Sequence, residues 1–353
     1  MQDRNSIIHR QRLIIAGACS AESREQVLTT AREIAALGRV DIFRAGVWKP
    51  RTNPNSFEGA GNVALDWLAE AKQQTGMAIA TEVATATHVE KALKAGVDVL
   101  WIGARTSNNP FSVQEIAEAL RGVDVPVMVK NPTSADLALW RGAVERLTRV
   151  GVRDIALVHR GFAGYNVVGM RNAPLWQLAL EARREMPTLP MICDPSHICG
   201  NRTGLLEVAQ RAADLDYSGL MIECHASPSE ALSDAEQQIT PAELEALLES
   251  IVWRTVASDS IVCRDELERL RGAIDRLDEE IFSLIAKRME VADEIGRLKR
   301  QNNLTILQSG RWEEVVERVS HRATELGLGK ECTHKILDAI HLESIERQNK
   351  IMH

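Results

Sequence analysis

The chain has 353 residues, 45% hydrophobic and 26% charged, with a formal net charge of −7. That balance suits a soluble globular protein and argues against general nucleic-acid binding or attachment to an anionic membrane. No apolar run approaches membrane-spanning length, and the opening M-Q-D-R-N-S lacks a signal-peptide core, so a cytoplasmic protein without membrane partners is expected.

This length exceeds what one hydrophobic core usually supports, so two domains are expected. All 11 prolines lie before Val262, whereas residues 264–353 hold 34 charged side chains out of 90. A Pro- and Gly-punctuated body over 1–250, a linker over 251–263 and an all-helical domain over 264–353 follow from that shift. The six cysteines form no C-x-x-C pair and no disulfide framework, and read as reduced thiols.

Within the body, apolar runs at 13–18, 41–47, 77–83, 97–104, 125–130, 154–159, 191–194 and 220–224 predict strands. Amphipathic stretches at 25–37, 63–75, 88–95, 113–120, 134–150, 175–185 and 205–213 predict helices between them. Parallel strands with helical crossovers, eight repeats in about 250 residues, match a (β/α)8 TIM barrel. An open doubly wound sheet is the runner-up, but no G-x-G-x-x-G follows the first strand.

Chemistry in a barrel gathers where strands end. Those ends carry Cys19, Arg44, Lys49, Arg51, Thr52, Glu82, Arg105, Lys130, Arg160, His197 and Glu223, with Asp234 just beyond. Cys19, His197, Glu223 and Asp234 form a donor set suited to one divalent transition metal. The surrounding cations suit small, multiply anionic substrates, on whose carbonyl the metal would act as a Lewis acid. Cys193, His197 and Cys199 have the wrong spacing for a zinc knuckle, and the donor set makes a Schiff-base role for Lys130 less apt. Strand alternation sends Cys224 to the helix side if Glu223 faces the pocket.

K-P-R-T at 49–52, I-G-A-R at 102–105, V-K-N at 129–131, D-P-S-H at 194–197, I-E-C-H at 222–225 and Asp234 together resemble the short, type I-beta DAHP synthases, over roughly residues 10–250. The resemblance implies condensation of phosphoenolpyruvate with erythrose 4-phosphate on a metal-dependent barrel. It implies Cys19, His197, Glu223 and Asp234 as ligands, with Mn2+ the first expectation and Zn2+, Fe2+ or Co2+ as alternatives. Arg105, Lys130 and Arg160 would hold phosphoenolpyruvate, with Arg44 and Lys49 beside them, and Arg51, Thr52 and Arg202 would hold the aldose phosphate. Glu82 would place the attacking water. His159 stands where many relatives have Glu, and the short front end leaves no room for the regulatory domain that some carry. The sister synthase that uses arabinose 5-phosphate (Kdo8P synthase) is the alternative; it usually has Asn where this chain has Pro50.

In the tail, apolar residues recur every three or four positions across 264–301, predicting one helix about 57 Å long. Shorter helices are expected at 311–326 and 330–350, with Gly327 and Gly329 as stop signals. So long a helix needs cover from the rest of a bundle and from a second chain, making a homodimer, or a higher oligomer, the expected assembly. Arg288 and Lys299 share one face about 16 Å apart, while Arg271 lies about 25 Å from Arg288 and could reach only a partner's site. L-R-x-x-I-D-x-L-D-E-E-I at 270–281, with K-R-M, G-R-L-K and S-x-x-x-Q, is similar to AroQ-type chorismate mutases. That likeness implies Arg271, Arg288 and Arg311 on the carboxylates of chorismate, with Lys299 and Gln348 on its ether oxygen and Ser344 nearby. Gln308 and Trp312 replace acidic groups usual in the family, which points to weakened mutase activity. A non-catalytic dimerisation and sensing module is the alternative, and prephenate or chorismate bound there is expected to control the barrel.

Overall fold

The structure is a computed structural model and describes residues 6–50, 55–164, 167–257 and 259–353. It divides into two compact units, Met1–Val256 and Ala257–His353. The break falls inside the segment 251–263.

In the first unit, β1 (Leu13–Gly17), β2 (Ile42–Arg44), β3 (Ala78–Val83), β4 (Val99–Ile102), β5 (Val127–Lys130), β6 (Ile155–His159), β7 (Met191–Cys193) and β8 (Gly219–Glu223) form a closed parallel barrel in sequence order. Each predicted apolar run contributes one strand. The runs are unbroken because both strand faces are buried. Leu13 and Ile15 of β1 join the barrel interior, with Ile42, Val99, Trp101, Met128, Val158, Ile192 and Met221, whereas Ile14 and Ala16 face the helix layer. Ile8, on a 3-10 turn (Ile7–His9) ahead of β1, packs against the interior cluster without solvent exposure. Closure is tightest at Gly219, where a Cβ would sit 2.2 Å from the Leu13 carbonyl oxygen.

The crossover helices lie within a few residues of their predicted positions. An eighth barrel helix, Pro241–Ser250, was not among them. Its start is nonetheless written in the chain, because Thr240 and Glu243 cap it reciprocally and Leu244, Leu247 and Leu248 bury its inner face. No helix among the described residues is long and apolar enough to cross a membrane.

The second unit has three helices, Ile261–Gln301, Ser309–Glu325 and Lys330–Met352. The first begins three residues before its predicted start because Ser260 accepts a hydrogen bond from the Cys263 N–H. Its second half buries Met289, Ala292, Gly296 and Lys299, and the third helix buries Thr333, Leu337, Ser344 and Gln348. Its first half is different: Ile274, Leu277 and Ile281 remain 52–57% exposed.

Candidate active site

The inward strand positions recur every second residue, and continuing them upward yields the site. Met221 is followed by Glu223, Ala80 by Glu82, Ile42 by Arg44, Met128 by Lys130, Val158 by Arg160 and Ile192 by Asp194. One cavity is lined by Lys49, Glu82, Arg105, Lys130, Arg160, Arg171, His197 and Asp234, so five cations face it. Trp101 lies beneath, with the Arg44 guanidinium 4.8 Å and the Lys130 ammonium 5.8 Å from its ring centre, and its indole N–H donating to Glu82. Glu82 in turn explains Gly103, since a Cβ there would sit 2.0 Å from its Oε1.

Beside this cavity, ligand atoms of Cys19, Glu223 and Asp234 lie within 4.8 Å of one another. His197 falls outside that sphere, but its Nε2 faces Glu223 Oε1 at 3.7 Å. Its Nδ1 is 2.8 Å from Asp194 Oδ2, so Nδ1–H donates to that carboxylate and Nε2 is the nitrogen available to a ligand. Glu223 Oε1 is buried without a hydrogen bond, while Gln237 donates to Oε2 at 2.6 Å. A buried carboxylate oxygen with no hydrogen bond but an ion pair to Arg44, beside a thiol, a second carboxylate and an oriented imidazole, fits a divalent transition metal.

Burial and neighbouring charges set the protonation of these groups in the protein alone. Burial and the neighbouring Glu223 push the Cys19 thiol up to about 12, and its S–H donates to Asp234 Oδ2 at 3.1 Å. Burial also disfavours the Asp194 carboxylate, but His197 and Lys130 outweigh it and hold the group well below the usual carboxylate range. Lys130 donates to Asp194 at 2.7 Å, yet burial still lowers its pKa. Burial works against the Lys49 ammonium too, but Cys19, Glu82 and Glu223 raise its pKa on balance. Arg160, lowered chiefly by burial to about 10, stays cationic at neutral pH.

Arg44 sits one layer down, fully buried, 3.2 Å from Glu223 and donating to the Cys19 carbonyl. Arg44→Met is therefore expected to leave a buried carboxylate uncompensated and to destabilise the barrel by about 3–5 kcal/mol. A thermal melt without added metal would detect this, and an unchanged midpoint would contradict the pairing.

Arg202 is not among the cavity residues; it donates to the Gln238 and Ala235 carbonyls and so braces the segment after Asp234. Arg51 and Thr52 lie outside the described residues. Cys224 packs in the helix-facing layer, as strand alternation requires. Arg171, Asn172, Gln237 and Trp101 were not singled out by the sequence reading, which quoted Asp194 only within D-P-S-H and gave it no role. Asp194 and Trp101 lie on the same two-residue period as their neighbours and could have been found from it, whereas Arg171 and Asn172 come from a long loop with no such signal.

His159 faces outward, its Nε2–H donating to the Pro174 carbonyl at 2.6 Å and its Nδ1 accepting from the Tyr217 hydroxyl at 3.0 Å. Burial lowers its pKa from 6.5 to about 4. Between those values the unfolded chain binds the extra proton, so stability should fall by about 3 kcal/mol as pH drops from 6.5 to 4 and level off below. His159→Gln should flatten that part of the stability profile in denaturant titrations; an unaltered slope would contradict a neutral His159.

In the helical unit, Arg288 donates to Ser344 Oγ at 2.6 Å and Lys299 to the Ile306 carbonyl at 2.5 Å. Gln348 packs on Gly296, and its Oε1 is buried without a partner. Arg311 pairs with Glu314 on the surface, and Arg271 is exposed on the unburied half of the long helix. Trp312 stacks on His341 with ring centres 3.7 Å apart.

A closed parallel barrel with mixed sulfur, nitrogen and oxygen donors beside a cationic cavity defines an enzyme handling small anionic substrates. Residues 6–258 match the sequence model of the DAHP synthetase I family, and residues 270–349 match chorismate mutase type II. The chain belongs to the DAHP synthetase I family and carries a chorismate mutase type II domain at its C-terminal end. It is 31% identical over 226 residues to the phospho-2-dehydro-3-deoxyheptonate aldolase of Thermotoga maritima, covering 64% of each chain. The 2-dehydro-3-deoxyphosphooctonate aldolase of Stenotrophomonas maltophilia strain R551-3 is 30% identical over 261 residues, or 68% of this chain and 89% of that one. A crystal structure of the Thermotoga maritima DAHP synthase superposes with a TM-score of 0.60 at 29% identity, covering 67% of each chain.

Proposed function

We propose that the barrel condenses phosphoenolpyruvate with erythrose 4-phosphate to DAHP, and that the helical domain rearranges chorismate to prephenate. The observation that carries the first reading is the Cys19, Glu223 and Asp234 cluster, with His197, directly beside five cavity-lining cations. Cys19, His197, Glu223 and Asp234 would hold a divalent metal, Mn2+ above all, which would supply Lewis-acid polarisation of the aldehyde. Arg105, Lys130 and Arg160 grip the phosphate and carboxylate of phosphoenolpyruvate, Lys49 and Arg44 add positive potential, and Arg51, Thr52 and Arg202 serve the aldose phosphate. Positive charge stabilises anions better than the cationic carbon 2 that develops, so these residues act by positioning. Glu82, held by Trp101, orients the water that adds there.

In the bundle, Arg288 with Ser344 holds a carboxylate, Lys299 and Gln348 face the ether oxygen, and Arg311 assists. Arg271 is contributed by a second copy. The exposed apolar face around Ile274, Leu277 and Ile281 supports that homodimer. Having both domains on one chain supports feedback, with prephenate bound in the bundle shifting barrel activity. We place this enzyme in the cytoplasm.

Loss of phosphoenolpyruvate absorbance tests the substrate assignment. Consumption with erythrose 4-phosphate but not arabinose 5-phosphate is expected; the reverse would hand the barrel to the 2-dehydro-3-deoxyphosphooctonate reaction. Adding prephenate to the same assay should change the rate.

A further inference from the structure

The segment between β6 and the helix Trp176–Glu185 contributes a short strap, Arg171 to Pro174, beside the site. The Arg171 N–H reaches the carbonyls of Ile198 and Cys199 at 3.1 and 2.9 Å, and the Asn172 N–H reaches Ile198 at 3.1 Å. Ala173 pairs with Phe162, and the Pro174 carbonyl accepts from His159. The strap thus has fixed anchors on both sides.

Its side chains join the two halves of the site. Asn172 is 7% exposed, and both ends of its amide are used. Its Oδ1 accepts from Arg160 Nη1 at 2.7 Å, and its Nδ2 donates to the carbonyl of His197 at 2.6 Å. Arg171 makes the parallel link, 3.1 Å from Asp234 and donating to Gln237, which itself donates to Glu223. One rigid amide therefore spans from an anion-gripping guanidinium to the main chain of a metal-ligand histidine.

We infer that Asn172 is a positioning residue that couples anion binding at Arg160 to metal binding at His197. This rests on the metal and anion reading proposed above. An anion that fixes Arg160 fixes the Asn172 amide and with it the His197 carbonyl; by linkage, metal at His197 improves the anion site by the same factor. The amide supplies the physical link, because turning it away from either partner breaks its hydrogen bond to the other.

The test uses the full chain stripped of metal. Co2+ is titrated through the thiolate-to-cobalt absorbance of Cys19, with and without phosphoenolpyruvate, and phosphoenolpyruvate is titrated calorimetrically with and without Co2+. The wild type should show mutual tightening of about tenfold. Asn172→Ala should lower phosphoenolpyruvate affinity about tenfold and bring the mutual tightening close to none. Asn172→Asp keeps an acceptor for Arg160 but loses the donor to His197 and adds a negative charge, so it should weaken phosphoenolpyruvate binding and lose the coupling as well; it serves if the alanine variant does not fold. Wild-type coupling in either folded variant overturns the inference, as does a wild type that binds both ligands independently. A wild type with no cobalt–thiolate band sinks the metal reading itself, and the inference with it.

Discussion

Cys19→Ala is expected to lower phosphoenolpyruvate turnover by about a thousandfold, equivalent to roughly 4 kcal/mol of transition-state stabilisation. The reason lies in the donor set. Cys19 supplies the softest ligand, on a rigid strand extension, with its backbone N–H held by Gln238 Oε1 at 2.9 Å. Without the thiol, only Glu223, Asp234 and His197 remain, a set one donor short that should hold the metal more weakly and leave it poorly placed. The five cavity cations are untouched, so phosphoenolpyruvate should still bind, and the loss should fall chiefly on kcat and metal affinity, with KM rising by no more than about tenfold through the lost coupling. Kinetics across a Mn2+ titration would show this. A variant retaining most of its turnover at the wild-type metal concentration would remove Cys19 from the ligand set.

Arg288→Ala should reduce chorismate rearrangement by about a hundred- to a thousandfold, the usual loss when one preorganised charge partner is deleted. Such a reaction needs no acid, base or covalent intermediate, so its rate depends on a cationic cage holding the reactive conformer. Arg288 is the cage cation locked by a neighbouring helix, through Ser344. Because the residue is largely exposed, the fold should survive its loss, and circular dichroism should be unchanged. The same variant should abolish the prephenate effect on the barrel. Inhibition that persists at wild-type prephenate concentrations would separate control from the bundle site.

The barrel was legible because burial on both strand faces writes itself as unbroken apolar runs. The site was legible at its rim because six of the eight strands are continued by a charged residue two positions beyond an inward apolar one, as Met221 precedes Glu223. Asp194 stood in the quoted D-P-S-H motif, but its work is to orient His197 and Lys130, and that appears only when β5 and β7 are placed in space. Arg171 and Asn172 were hidden for a different reason. Their loop carries no periodicity, and its course is set by hydrogen bonds to Ile198 and Cys199 that no local pattern encodes. In the bundle, helical spacing aligned Arg288 with Lys299, but the Trp312–His341 stack depends on two helices meeting and has no signature in either one.

The central claim is a metal-dependent condensation on the barrel rim. Its most direct measurement is phosphoenolpyruvate consumption with erythrose 4-phosphate before EDTA, after EDTA, and after restoring Mn2+. The account predicts that EDTA abolishes turnover and that Mn2+ restores it. Turnover indifferent to EDTA would contradict the metal site and the mechanism built on it.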